Sequence, residues 1–181
     1  SNYVYSKRGY ADLPRNFTTS ESNLDPTKMT ERNILAILDH RISDNWKLTA
    51  QTSYLNYQQE GMSLWPSGFD PTNDAILKRA GGNWDILGKI YVGQAFVNGE
   101  AKTGSVTHKI LSGLDLSDKT FFHDWSQSFT MPDLDIYNPV HGTLAASPTF
   151  DRSKSLEDRG VKYQNSYKAL YVQDELGFFD N

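Results

Sequence analysis

NILAILDHRISDNWKLTAQTSYLNY, running from Asn33 to Tyr57, is the stretch that decides the fold. In its second half Trp46, Leu48, Ala50, Thr52 and Tyr54 alternate with Lys47, Thr49, Gln51 and Ser53. A residue period of two sends these two sets to opposite faces of a strand. Its first half, Asn33 to Ile42, is apolar on both faces in the middle. Ser43-Asp44-Asn45 between the halves has turn chemistry, so the stretch is predicted as a tight β-hairpin.

Four more segments read as strands: Tyr3 to Lys7, Ile86 to Val97, Ser105 to Leu116 and Tyr167 to Phe178. In the segment Ser105 to Leu116, Val106, Ile110, Leu114 and Leu116 share one face and Lys109 and Asp115 the other, with His108 and Ser112 interrupting the apolar side. Most of the six run to about 10–12 residues, which suits a tilted strand crossing a bilayer better than the shorter strands of ordinary globular proteins. Asn98-Gly99 is predicted to open a second short turn ending near Gly104. Between the hairpins lie long connections, Arg8 to Arg32, Gln58 to Asp85 and Ser117 to Ser166. Long and short connections therefore alternate strictly. A β-sandwich has no reason to put every long loop on one edge, whereas transmembrane barrels combine short turns at one end with longer loops at the other. The prediction is an all-β antiparallel transmembrane barrel segment, without a domain boundary between residues 1 and 181.

Composition agrees. The chain of 181 residues is only 38% hydrophobic yet 13% aromatic, with 10 Tyr, 9 Phe and 4 Trp. Tyr and Trp belong where apolar and wet surroundings meet, as on a wall with one greasy face. A formal net charge of -4 without a basic run points away from nucleic acid. The absence of cysteine removes disulfides, thiolate metal sites and cysteine nucleophiles. No G-x-S-x-G elbow occurs, so no enzymatic role is expected. His40, His108, His123 and His141 show no helical metal-ligand spacing, and no protein-held metal or cofactor is expected either. No apolar run reaches the length of a membrane helix. Both ends read as interior to a longer chain, with no secretory signal in the opening residues Ser1-Asn2-Tyr3-Val4-Tyr5.

Four motifs, taken in order, resemble one family. Asp39-His40-Arg41-Ile42-Ser43-Asp44-Asn45-Trp46-Lys47-Leu48 resembles a barrel hairpin of the TonB-dependent ferric-siderophore receptors. Lys102 to Leu111 with Gly113-Leu114-Asp115 is similar to their T-G-x-x-x-H-x-L-L-x-G-x-D hairpin, with Ile110 replacing the first Leu. Ile136-Tyr137-Asn138-Pro139-Val140 resembles a YNPV segment in the following outer loop, and Leu170-Tyr171-Val172-Gln173-Asp174-Glu175 the Y-x-Q-D-Q strand after it. The order most resembles the ferric-hydroxamate (ferrichrome-type) branch. The resemblance implies about six strands of a barrel of 22, whose lumen is plugged by a domain these residues do not include. It also implies TonB-dependent uptake of a ferric siderophore across a bacterial outer membrane, with outer-membrane lipid and the TonB complex as partners, the latter acting through the plug. The iron would arrive inside its chelate, so the protein needs no iron ligands of its own.

Aromatic side chains on the long connections are the candidate ligand contacts, because ring faces bury a compact chelate's apolar edges while phenol and indole groups hydrogen-bond it. They include Tyr10, Trp65, Phe69, Trp84, Phe121, Phe122, Trp125 and Tyr137, of which Tyr10, Trp65, Trp84, Trp125 and Tyr137 are the chosen candidates. By resemblance, Tyr10 matches an aromatic ahead of Leu13-Pro14, with Asp12 where a Trp is expected, and Trp125 matches another aromatic ahead of Pro132. The competing reading of each is loop packing or membrane girdle. Two functional alternatives remain at this point: a receptor of the same kind for haem, cobalamin or an oligosaccharide, and a soluble secreted β-sandwich that binds carbohydrate.

Overall fold

A computed structural model describes residues 6–9 and 12–178. The described residues form nine strands: β1 (Lys28–Ser43), β2 (Trp46–Glu60), β3 (Met62–Phe69), β4 (Ile76–Asn83), β5 (Asp85–Thr103), β6 (Val106–Asp124), β7 (Ser128–Thr130), β8 (Leu134–Asp135) and β9 (Val161–Gly177), with one helical turn, α1 (Leu156–Arg159). The chain divides into two compact units. A sheet unit holds Thr30–Gln58, Leu87–Phe122 and the residues from Lys162 onward; a loop unit holds the residues up to Met29, Gln59–Ile86 and His123–Val161.

The large sheet has the order β1-β2-β5-β6-β9, an antiparallel meander once the short strands are left aside. The predicted hairpin at Asp44-Asn45 is present, and the Asn45 carbonyl accepts the Glu100 N–H across the neighbouring strand at 3.0 Å. The second hairpin turns at Gly104-Ser105 rather than at Asn98-Gly99, because β5 continues to Thr103. Gly104 has a φ of +63°, the left-handed conformation a tight hairpin needs. Gly99 serves packing instead. A Cβ there would lie 2.4 Å from the Trp46 ring, so its lack of a side chain admits the indole.

Polar contacts fix which residues share a face. Asp39 accepts from the Thr49 hydroxyl at 2.7 Å and pairs with Lys47 at 3.1 Å. Gln51 donates to Gln94 at 2.6 Å, Gln94 donates to Asp115 at 2.7 Å, and Lys109 meets Glu175 at 3.0 Å. These bonds form a polar ladder over all five strands. By the period of two, Ile34, Leu38, Leu48, Ala50, Leu114, Leu170 and Val172 fall on the opposite face. Leu170 and Val172 are 86% and 78% exposed, and Ile34 is 69% exposed, so that face is apolar and uncovered. His108, which interrupts it in the sequence, is answered by Asp174 with 2.7 Å between Nδ1 and the carboxylate.

Three expectations are corrected. The strands of about 10–12 residues run to 15 to 19 in this sheet. The stretch Tyr3 to Lys7 is not a strand where it is described: Ser6 and Lys7 enter a turn closed by the Gly9 N–H on the Ser6 carbonyl at 3.2 Å, and Tyr3 to Tyr5 lie outside the described residues. The long connections also carry a sheet of their own. β3 and β4 form a hairpin that pairs Trp65 with Ala80 and Leu64 with Gly81, with a bulge between Pro66 and Gly68, and β7 and β8 join the far edge of β4. Among the described residues, Leu77, Met131, Leu134 and Ile136 are the fully buried apolar side chains of the loop unit.

An apolar face left bare, with β1 and β9 ending the hydrogen-bonded order, presents both greasy surface and open edges. We expect the 181-residue chain to aggregate in plain buffer and to show sheet circular dichroism only in detergent. A monodisperse, cooperatively melting monomer without detergent would contradict this reading.

Candidate functional site

The loop unit is organised around charge. Asp85, the first residue of β5, is fully buried, and Asp124, the last residue of β6, is 3% exposed. Arg152 donates to both oxygens of Asp85, each at 2.9 Å, and Arg159 donates to the same carboxylate at 2.8 Å. The other terminal nitrogen of Arg159 donates to Asp124. The Gly61 N–H adds a bond to Asp85 at 3.1 Å. Burial alone would push the Asp85 carboxyl up, but the Arg152, Arg159 and Gly61 donors outweigh it and hold Asp85 below the usual carboxylate range. Burial likewise acts against Asp124, and bonds from Ser126 and Arg159 bring it down.

A second buried pair lies in the same unit. Arg79 of β4 and Glu21 meet at 2.6 Å with side chains 1% and 0% exposed. Arg79 also donates to the carbonyls of Thr19 at 2.8 Å and Pro132 at 3.0 Å. Glu21 accepts the Gly142 N–H, and these donors hold its carboxyl low against the opposing effect of burial. The first long connection is thus tied to β4, to the segment after β7 and to residue 142 by one guanidinium and one carboxylate.

The aromatic candidates sit at different points of this frame. Trp84 and Trp125 stand beside the buried carboxylates in sequence and are brought together, with ring centroids 5.6 Å apart at 64°. They are 39% and 56% exposed, while Asp85 and Asp124 beside them are buried, as alternation along an extended chain requires. The His123 ring lies 4.1 Å from that of Trp125. Trp65 is 42% exposed and lies across Gly82, where a Cβ would come within 3.2 Å of its indole. Tyr137 is engaged within the protein: its hydroxyl donates to Asp12 at 2.9 Å and the Arg8 guanidinium covers its ring at 4.0 Å. Tyr10 lies outside the described residues. In the sheet unit Phe122 is buried under Lys162, 5.9 Å from its ring, while Phe121 is partly exposed. Among the described residues no group of three or more His, Asp or Glu side chains is arranged to hold a metal ion.

Asp85, Asp124, Arg79, Glu21, Arg152 and Arg159 escape a reading of the sequence, since each lies in a stretch that reads as loop, far in the chain from its partner. One signal does point to Arg159. Ser155-Leu156-Glu157-Asp158 has the spacing of a helix-capping motif, and the Ser155 side chain does accept the Asp158 N–H, placing Arg159 at the end of α1.

Removing one partner of a buried charge pair leaves the other desolvated and unanswered, at a cost of about 3–5 kcal/mol. We therefore expect Asp85→Ala to lower the urea midpoint of the loop unit strongly, read by protease sensitivity within residues 123–161. Lys109→Ala, at the exposed Glu175 pair, should leave it where it was.

No family model matches the chain. Ferrioxamine B receptors of Salmonella typhimurium strains SL1344 and LT2 are each 23% identical to it over 167 residues, which is 92% of this chain and 22% of the receptor. The crystal structure of the closed form of the ferric-catecholate import receptor Fiu from K12 E. coli superposes with a TM-score of 0.69 at 21% identity, covering 85% of this chain and 22% of that one. The chain spans about a fifth of the length of these relatives, all of which are receptors rather than enzymes. Over most of its length the chain is similar in sequence to ferrioxamine B receptors, and it is similar in fold to a stretch of the ferric-catecholate import receptor.

Proposed function

We propose that these 181 residues form, as one barrel domain, part of the membrane wall and part of the outer binding surface of a receptor that takes up a ferric siderophore. The observation that carries this reading is the division of labour between the two units. One is a meander with a polar ladder on one face and an uncovered apolar face on the other. The other gathers every long connection and presents the exposed Trp84–Trp125 pair.

Strand length supports a spanning role. A strand of 19 residues extends roughly 60 Å, and at a tilt of about 45° it rises roughly 40 Å, more than the roughly 30 Å of a hydrocarbon core. The apolar face then meets outer-membrane lipid, the polar ladder faces the lumen, and the strand ends near Asp85 and Asp124 stand clear of the bilayer. The turns at Asp44-Asn45 and Gly104-Ser105 belong to the periplasmic end. Energy for uptake would come from the TonB complex through a plug that occupies the lumen. The relatives are named for ferrioxamine B and for ferric catecholates, and the sequence motifs favour the hydroxamate branch. In such a site the iron is cargo held by its own chelator. The protein covers the chelate's apolar edges with ring faces and answers its polar atoms with indole N–H groups.

Topology is tested with cysteines introduced one at a time at Trp65, Asp133, Asp44 and Ser105, probed on intact cells with a membrane-impermeant thiol reagent. The first two should react and the last two should not; the reverse pattern would invert the orientation. Ligand contact is tested with iron-loaded ferrioxamine B or whichever ferric chelate the wild-type protein binds. A buried indole at a hot spot contributes on the order of 2 kcal/mol, about thirty-fold in affinity. We expect Trp125→Ala to weaken binding about tenfold or more at normal surface levels, and Trp46→Ala, beside the periplasmic turn, to leave it unchanged. Equal small effects at both positions would remove Trp125 from the binding surface.

A further inference from the structure

We infer that Arg159 is the positioning residue for the Trp84–Trp125 pair. The inference rests on the reading of that pair as ligand-facing, and it concerns what fixes the geometry of the two rings. Asp85 follows Trp84 in the chain, and Asp124 precedes Trp125. One terminal nitrogen of Arg159 takes the Asp85 carboxylate at 2.8 Å and the other takes that of Asp124. A single planar fork therefore spans the two buried neighbours of the two exposed indoles. Its nitrogens are held at a fixed separation by the guanidinium itself, so the distance between the carboxylates, and with it the offset of the rings, is set by covalent geometry.

The surroundings make Arg159 well suited to this role. It is the last residue of α1, whose N-cap is Ser155, and its Nε donates to the Lys154 carbonyl at 3.2 Å, so the side chain leaves from a fixed turn. That turn lies directly against the end of β6. A Cβ on Gly160 would sit 2.6 Å from the Leu156 carbonyl oxygen and 3.0 Å from that of His123, so a larger residue would force the turn away. Arg152 differs: its bonds run to Asp85 and to the Gly61 carbonyl at 3.2 Å rather than to Asp124. Asn83 joins the same chain segments through backbone atoms, donating to the Asp124 carbonyl at 2.9 Å and accepting the Gln127 N–H at 3.0 Å. Asn83 and Arg152 can thus keep the segments together when Arg159 is changed conservatively, while leaving the relative offset of the two carboxylates open.

Two indoles in edge-to-face contact couple excitonically and give a paired positive and negative band in the far-ultraviolet circular dichroism. The experiment uses the purified protein in detergent, with each background compared with its own Trp84→Phe counterpart, so that indoles elsewhere cancel in the difference. The wild-type difference should show the couplet, and Trp125→Phe should abolish it. Arg159→Lys keeps a positive charge but cannot span both carboxylates with a rigid fork; its couplet should fall about twofold or more with the sheet signal retained. Gly160→Ala should do the same with the guanidinium intact. Arg152→Lys should lower the unfolding midpoint and keep the couplet. The inference is overturned if Arg159→Lys or Gly160→Ala leaves the couplet unchanged, or if Arg152→Lys abolishes it as fully as Arg159→Lys does. Loss of the sheet signal in Arg159→Lys would also overturn it, by making the residue a folding requirement. No ligand enters the measurement, so a failed chelate-binding experiment leaves this result standing and removes only the functional reading.

Discussion

A fully buried carboxylate is the constraint on which the loop unit depends. Asp85 has given up water, and its charge persists only because Arg152, Arg159 and the Gly61 N–H replace that hydration. The partners come from two other stretches of chain, so satisfying one carboxylate brings the residue after β2, the start of β5 and the segment carrying α1 to one place. Such a network adds little net stability over a well-packed apolar core. What it does add is definition: an apolar side chain tolerates many packings, whereas a carboxylate facing two guanidinium forks tolerates few. That matters where, among the described residues, Leu77, Met131, Leu134 and Ile136 are the fully buried apolar side chains that fix the fold.

The sheet unit solves the opposite problem. Its polar groups lie along one face and answer one another from strand to strand, through Asp39, Gln51, Gln94, Asp115, Lys109 and Glu175. On the other face Ile34, Leu38, Leu170 and Val172 are exposed and uncovered. An uncovered apolar face of this kind is what the proposed membrane-wall role would use. His108 and Asp174 on that face answer one another, as polar groups among apolar neighbours do.

The first hairpin is legible from Asn33 to Tyr57, its turn from Ser43-Asp44-Asn45 and the faces of β2 from the alternation of Trp46 to Tyr54. The second turn is not, because Asn98-Gly99 has hairpin composition, yet Gly99 is small to admit the Trp46 ring. The sheet of β3, β4, β7 and β8 is hidden for a related reason. Ile76–Asn83 contains a buried Arg79 and the Gly81-Gly82 pair, which sequence patterns read as a charged surface and a chain breaker. Instead Arg79 finds Glu21 at long range, and the glycines make room for Leu64, Phe129 and Trp65. Among the aromatic candidates, sequence places Trp84 and Trp125 on separate loops without a hint of their contact. Tyr137 stands out by its motif, and its hydroxyl is bound to Asp12. Long-range ionic partners decide these outcomes, and single charges carry no periodicity from which to infer them.

The dependence of the loop unit on its carboxylates has a sign that can be measured. Asp85, Asp124 and Glu21 all have folded pKa values below their ordinary ones. The stability they contribute is therefore complete above the ordinary carboxylate range, about 4, and is lost as pH falls through the lower folded values. Amide hydrogen exchange across an acid titration in detergent reads this segment by segment. The account predicts that protection within Gln59–Ile86 and His123–Val161 collapses together below about pH 4, while Thr30–Gln58 and Leu87–Phe122 stay protected. Protection that persists in the loop unit to strongly acid pH, or that is lost from both units in one transition, would contradict it.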